Sequence, residues 1–293
     1  VTAENVRENL TDLKLLGVRV IDFTGGEPLL HQKIDELLSI AKELKFITTL
    51  TTNTLLYPKL AEKLKGKIDM LHFSLDSPDK EEHDRMRGVA CFDFLLESIQ
   101  IAKRLGERPD ILFTVFDHNI EKIERVYREI CLPNDLVLIL NPAFEYNDVN
   151  AGNKLSNNDL EKLRLWSKKK NIYLNNAFIE LRKDGGNKIS DPVCKAASTT
   201  IVISPENKLL LPCYHLGMDQ LDIHGKLYEL YKSEKVQKLI RMEGKFTQCE
   251  GCTINCYMQP SFAVELNKYW FLALPSTLKY NRMKGTWKQL LKF

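Results

Sequence analysis

Five times between residues 18 and 141, a short apolar run rich in β-branched residues ends at polar residues. The runs cover residues 18–23, 46–51, 68–75, 111–116 and 136–140. Helical spacing covers residues 4–16, 34–44, 57–64, 92–105 and 120–130; Ile34, Leu37, Leu38, Ala41 and Leu44 share one face. Apolar runs of this kind suit strands buried on both faces. Strands alternating with helices imply parallel pairing with crossover helices. In a barrel or open α/β sheet, the residues that follow each strand share one rim, where ligands bind. Here they are Glu27, Asn53, Ser74 with Asp76, His118 with Asn119, and Asn141. Each alone is an ordinary cap or loop residue. Their recurrence points to a shared site.

The first of these turns carries the most chemistry. The run containing Val18, Val20, Ile21 and Phe23 stops at Thr24-Gly25-Gly26-Glu27-Pro28. Two glycines at the carboxyl end of a strand let a ligand approach the backbone closely. A carboxylate beside them accepts hydrogen bonds only, and so suits an ammonium group. Pro28 lacks an N–H and fixes the exit of the turn.

With 293 residues the chain is long enough for one large domain or a domain plus an extension. A formal charge of +3 is too small to argue for nucleic acid. No apolar stretch approaches the roughly 20 residues that span a bilayer, and no signal peptide is visible, so a cytoplasmic setting is expected.

After a helical stretch at 155–170 the rhythm breaks. Asp184-Gly185-Gly186-Asn187 reads as a linker, and residues 200–204 and 208–211 read as a hairpin around Pro205-Glu206-Asn207. A helix is expected over 227–242. The domains expected are 1–184 and 185–293. Five of the seven cysteines lie in the second: Cys194, Cys213, Cys249, Cys252 and Cys256. An odd total, with a Cys-x-x-Cys pair, favours metal over disulfides. Cys194 and Cys213 flank the hairpin, while Cys249 and Cys252 flank Gly251 on a turn. Four thiolates suit tetrahedral zinc or a cubane iron–sulfur cluster, and spacing alone does not separate the two. Cys256 is surplus: it replaces Cys194 or Cys249 as a ligand, reacts, or is simply buried.

Together these features resemble the radical S-adenosylmethionine (radical SAM) enzymes that carry a C-terminal SPASM or twitch extension. The matching segments are Thr24–Pro28, Thr51-Thr52-Asn53, Phe73-Ser74-Leu75-Asp76-Ser77, His83-Asp84-Arg85-Met86-Arg87-Gly88 and the five cysteines. The resemblance implies an α/β fold, a partial (β/α)6 TIM-like barrel, with a small cysteine-rich C-terminal extension. It implies S-adenosylmethionine across the strand ends. Gly25, Gly26, Glu27 and Pro28 would hold its amino end, Ser74 and Asp76 its ribose or carboxylate, and Arg87 its carboxylate. Asn53, Asn119 and Asn141 would line the site. A salt bridge within the protein is the competing role for Arg87. Cys194, Cys213, Cys249 and Cys252 resemble the four-ligand twitch pattern, which implies one auxiliary 4Fe-4S cluster.

The family's catalytic 4Fe-4S cluster is held by a Cys-x-x-x-Cys-x-x-Cys loop after the first strand of its barrel. No such triplet occurs here. The chain is expected either to be an N-terminally truncated form lacking that strand and loop, which Val1 favours, or to be a degenerate member, and to be inactive as it stands. The implied parent is an oxidoreductase or maturase. It would generate a 5′-deoxyadenosyl radical that abstracts a substrate hydrogen, with electrons from a donor such as flavodoxin or ferredoxin. A peptide or a small molecule is the expected substrate. The competing reading is a zinc-stabilised or electron-transfer α/β binding protein.

Residues 266–293 contain no Asp or Glu but hold Lys268, Lys279, Arg282, Lys284, Lys288 and Lys292, with Tyr269, Trp270, Phe271, Trp287 and Phe293 interleaved. Such a tail can lie on an anionic membrane surface. The alternative, a helix covering the barrel, is the favoured expectation.

Overall fold

The structure, a computed structural model, describes residues 1–145 and 154–286. Six parallel strands follow one another in sequence order: β1 (Val20–Phe23), β2 (Ile47–Thr52), β3 (Met70–Leu75), β4 (Asp110–Val115), β5 (Val137–Pro142) and β6 (Ile172–Tyr173). Every neighbouring pair is parallel, with registers such as Val20 to Ile47 and Phe73 to Ile111. This is the partial (β/α) barrel expected. Helix α1 (Ala3–Leu15) precedes β1. Then α2 (Ile34–Glu43), α3 (Tyr57–Leu64), and the pair α4 (Lys80–Arg87) and α5 (Phe92–Arg104) supply the crossovers.

The unbroken apolar runs have the physical consequence expected of them. Leu50, Phe73, Leu75, Ile111, Phe113 and Val115 are fully buried between sheet and helices. Phe73 meets Tyr57 of α3 edge-on, ring centres 4.9 Å apart. Truncating such a side chain to alanine costs about 3–5 kcal/mol.

The helix expected over 120–130 is not regular. A 3-10 stretch at Asp117–Lys122 leads into the three-residue α6 (Ile123–Arg125) and then a π-helical segment, Val126–Cys131. Pro133 just beyond contributes no N–H to the preceding turn. Beyond 154 come α7 (Asn157–Trp166), the two-residue β6, and α8 (Asn176–Lys183). Neither β6 nor α8 was expected; the two residues of β6 are too few to show a period.

The hairpin is present as β7 (Val202–Ile203) and β8 (Lys208–Leu211), after the short α9 (Ala196–Thr199). A third antiparallel strand, β9 (Asp219–Asp222), extends it. The single helix expected over 227–242 is two: α10 (Leu227–Lys232) and α11 (Glu234–Arg241). Ser233 separates them because its hydroxyl caps α11 instead of continuing α10. Last come α12 (Asn255–Ser261) and α13 (Lys268–Lys284).

Helix α13 lies against the barrel. Ser276 Oγ accepts from Asn176 N at 3.2 Å, and Tyr280 packs on Tyr173 with ring centres 4.8 Å apart. Lys279 donates to the carbonyls of Ser167 (2.5 Å) and Lys169 (2.8 Å). Lys284 reaches Asp110 at 2.9 Å and Lys268 reaches Asp184 at 2.5 Å. The positive charges at 268, 279 and 284 are therefore spent on the protein itself. Trp287, Lys288, Lys292 and Phe293 lie outside the described residues. Among the described residues, no helix is long and apolar enough to cross a membrane.

Candidate functional site

The strand ends form the expected rim, but most of its polar groups are turned to holding it together. Glu27 leaves β1 as the cap of a 3-10 turn, Pro28–Leu30, with Pro28 buried at its first position. Its Oε1 accepts from Leu29 N (3.0 Å) and Thr52 Oγ1 (2.8 Å), and its Oε2 accepts from Asn53 N (2.7 Å). One carboxylate thus ties the end of β1 to the end of β2. Two oxygens offer about four acceptor positions, so capacity for one further donor remains. Thr24, Gly25 and Gly26 are exposed beside it. Gly25 has φ +138°, a backbone that side-chain-bearing residues rarely adopt. A Cβ on Gly26 would meet no protein atom within 4 Å, so no protein atom demands glycine there.

Asp76 and Arg87 form a two-pronged ion pair, Nε to Oδ2 at 2.7 Å and Nη2 to Oδ1 at 2.9 Å. Arg87 therefore pairs within the protein. Burial raises the pKa of Asp76, and Arg87 offsets this only in part. The Asp76 backbone is set by His83, whose Nδ1 accepts from Asp76 N at 3.2 Å. The proton then sits on Nε2, which faces Cys91 Sγ at 3.4 Å. Burial, followed by the nearby Arg87 charge, pushes the His83 pKa down to about 4, so the ring is neutral. Nothing in the sequence marked His83 as more than part of a matching segment.

Asn119 is fully buried and spends its side chain inward. Nδ2 donates to Thr114 O (2.9 Å) and Asp76 O (3.3 Å), while Oδ1 accepts from Phe116 N (2.9 Å). It joins the ends of β3 and β4. Asn53 accepts from Leu55 N at 3.0 Å, and Ser74 is buried on β3. Asn141 on β5 accepts from Asn255 Nδ2 of α12 at 2.8 Å, which links the rim to the cysteine-bearing region.

The ligand-type atoms of His83, Asp84 and Cys91 lie within 4.8 Å of one another. Their bonding is that of a helix cap: Asp84 Oδ1 accepts from Cys91 N (2.9 Å) and Phe92 N (2.8 Å) at the start of α5. Burial holds the Cys91 thiol at about 11, in its protonated form.

The second centre is built from three segments, those of Cys194, Cys213 and the Cys249–Cys252 turn. Cys194, Cys213, Cys249 and Cys252 are all buried and line one cavity with Pro212, His215 and Tyr257. Cys256, on the first turn of α12, is exposed and does not line it. Burial raises all four cavity thiols, Cys252 to about 11. Among the described residues, no three of these sulfurs lie within 4.8 Å of one another. A single zinc with bonds of about 2.3 Å would draw them to about 3.8 Å apart.

What holds these loops was read as a linker. Asn187 is fully buried. Its Nδ2 donates to Gly244 O (2.8 Å) and Cys249 O (3.1 Å), and its Oδ1 accepts from Cys194 N (3.0 Å). Its backbone pairs both ways with the other turn, Asn187 N to Cys252 O at 3.0 Å and Gly251 N to Asn187 O at 2.8 Å. Gly186 lies so close that a Cβ would sit 2.2 Å from Gly251 O. Three of the four cysteines are thus tied to one asparagine. Asp-Gly-Gly-Asn is also a common turn composition, and no sequence signal separates the two cases.

A parallel strand–helix barrel with a polar rim and a cysteine-lined appendage fits one class of protein, and residues 1–130 match the Radical SAM superfamily. The chain belongs to that superfamily, and its homology is to radical SAM enzymes. It is 30% identical over 243 residues to a probable GTP 3′,8-cyclase of Sulfurisphaera tokodaii, across 77% of this chain and 75% of that one. An AdoMet-dependent heme synthase of Methanosarcina barkeri is 27% identical over 129 residues, 43% of this chain and 37% of its own. Among solved structures, SuiB of Streptococcus suis bound to S-adenosylmethionine has a TM-score of 0.66 at 20% identity, covering 91% of this chain and 67% of that one. The anSMEcpe structure with bound AdoMet has a TM-score of 0.58 at 18% identity, covering 99% and 89%. At these identities the likeness concerns the fold.

Proposed function

We propose that this chain supplies the S-adenosylmethionine-binding barrel and the auxiliary cluster domain of a radical SAM oxidoreductase. The division falls at 1–184 and 185–293. The cavity lined by four buried cysteines carries the reading. Thiolate-only donors suit a cubane iron–sulfur cluster, and the spread of the sulfurs favours a cluster of several metal atoms over one zinc. Cys194, Cys213, Cys249 and Cys252 would hold it, with Cys256 left out. Such a cluster supplies one-electron chemistry when bound. Three cysteines in the family's catalytic spacing are absent from this sequence, so its residues are assigned no radical-generating step.

At the rim, Gly25 and Gly26 leave the backbone open, and the spare acceptor position of Glu27 suits the amino group of S-adenosylmethionine. Asp76, kept in place by Arg87, His83 and Asn119, is the group proposed to face the ribose. Arg87 and Asn119 act on the ligand through Asp76 and the strand ends. A peptide is the proposed substrate class, supported by the fold shared with SuiB, which is also solved bound to its precursor peptide SuiA. An electron donor of the flavodoxin or ferredoxin kind, and a reducing cytoplasm, would suit seven unpaired cysteines.

Anaerobic reconstitution with iron and sulfide tests the cluster. About four irons per chain are expected, with loss of most of them in Cys252→Ala and none in Cys256→Ser. One zinc and no iron would overturn the reading. For the rim, Glu27→Gln should weaken S-adenosylmethionine binding in equilibrium dialysis by about tenfold or more, the value of one charge-assisted hydrogen bond. Unchanged affinity would remove Glu27 from the site.

A further inference from the structure

Arg182 of α8 is a buried cation with no carboxylate at ion-pair distance among the described residues. Its Nη1 donates to Phe178 O (3.1 Å); its Nη2 donates to Pro142 O (3.0 Å), Ala143 O (2.9 Å) and Asn255 Oδ1 (3.1 Å). All four acceptors are neutral. Its Nε is shut off from solvent and has no partner. Among the described residues, no carboxylate lies within the 4.0 Å of an ion pair with this guanidinium. Glu145 and Cys252 are the charge-bearing groups near enough to act on it. Glu145 is partly exposed and has Lys154 at 3.9 Å. Burial pulls the Arg182 pKa down to about 10, which still leaves it charged at neutral pH.

An unpaired buried cation costs several kcal/mol, so a fold that keeps one implies an anion close by. The cysteine cavity can supply it. Four thiolates around an oxidised cubane leave a net double negative charge, and one-electron reduction adds a third. A cation held in a low-dielectric interior stabilises the more negative state more strongly.

We infer that Arg182 is the built-in counter-ion of the tetracysteine cluster and holds its reduction potential up. The inference rests on the auxiliary-cluster reading. Arg182 is a positioning and tuning residue: it touches the Asn255 that precedes Cys256, but donates to no cysteine sulfur.

The test is a dithionite redox titration of the reconstituted chain, followed by EPR, for wild type, Arg182→Gln and Arg182→Lys. Arg182→Gln removes the charge and keeps a hydrogen-bonding head. At the wild-type midpoint its reduced-to-oxidised ratio should fall at least tenfold, about 59 mV for a one-electron couple. Arg182→Lys should stay within about threefold of wild type. Equal midpoints in all three fully loaded proteins would overturn the inference and leave Arg182 a purely structural clamp. If Arg182→Gln holds no iron, Arg182→Lys decides: a wild-type midpoint supports charge as the operative property, and a tenfold shift with the cation kept overturns it. Zinc without iron gives no redox wave and fails the underlying cluster reading, which metal analysis distinguishes.

Discussion

Asn187→Ala should take up less than about a tenth of the wild-type iron and unfold at a clearly lower temperature. The substitution removes no metal ligand. It leaves Cys194 N–H and Gly244 C=O buried without their partner, and leaves Cys249 C=O with Cys252 N–H alone. Each orphaned group costs about 1–3 kcal/mol, so the pair takes a large share of the 5–15 kcal/mol by which a domain is typically stable. The loss is local, because these groups belong to the segments around Cys194, Gly244 and Cys249 that Asn187 joins. Iron analysis after anaerobic reconstitution, with a thermal melt of the same sample, reads both effects. Gly186→Ala should behave alike by a different route, since its Cβ would collide with Gly251 O and its φ is +86°. Full iron content in both variants would show that the cysteine loops hold their positions without this stitch.

The second large effect is expected at the far side of the barrel. Asp110 is fully buried at the start of β4, and it anchors α13. Tyr280 donates to it at 2.5 Å, Lys284 pairs with it at 2.9 Å, and His72 Nδ1 lies 3.4 Å away. Lys284 also donates to Arg108 O, and Arg108 Nη1 donates to Met283 O at 2.8 Å. Asp110→Asn leaves the Lys284 ammonium buried without its anion. Breaking a buried pair in this way costs about 3–5 kcal/mol. The urea midpoint should fall, and α13 should become cleavable by protease before the barrel does. Replacing both partners, Asp110→Leu with Lys284→Met, should recover much of the loss. An unshifted midpoint in Asp110→Asn would refute the latch.

The pH dependence has a definite sign. Burial alone would raise the Asp110 pKa, but His72, Lys284 and Tyr280 together hold it below the ordinary carboxylate range. A folded-state pKa below the unfolded value of about 3.9 gives stability that is present above that value. The stability is lost as pH falls through the lower, folded-state pKa. Wild type should therefore lose the latch only in acid, and Asp110→Asn should lose that acid dependence.

Much of the barrel was legible because parallel strands buried on both faces leave a composition signal that neighbouring helices cannot blur. Residues 57–64 read as a helix and are one, since Pro58 and the apolar spacing both act within a single turn. The two-residue β6 carried no such signal, because its position is set by pairing with Leu138 and Ile139. The sequence grouped five cysteines in the second region, and the structure brings four of them to one cavity. Their division into four that line a cavity and one that does not was decided by how α12 turns Cys256 away.

The rim shows the same boundary. The order of residues along the chain determined which polar groups arrive at the strand ends, since every parallel strand delivers its successor to the same edge. Only the tertiary structure decided what those groups do there. Asn119 was expected to line the site, and Arg87 either to meet a carboxylate of the ligand or to form a salt bridge within the protein; in the structure Asn119 bonds backbone groups and Arg87 pairs with Asp76, because polar groups turned inward bond whatever the fold brings within reach. Asn187, read as part of a linker, became the hub of the cysteine loops for the same reason. Local sequence sets which hydrogen-bonding groups exist. Which partners they meet depends on how the fold brings segments together, as when Asn187 meets Gly244 57 residues on, and local sequence does not encode that meeting.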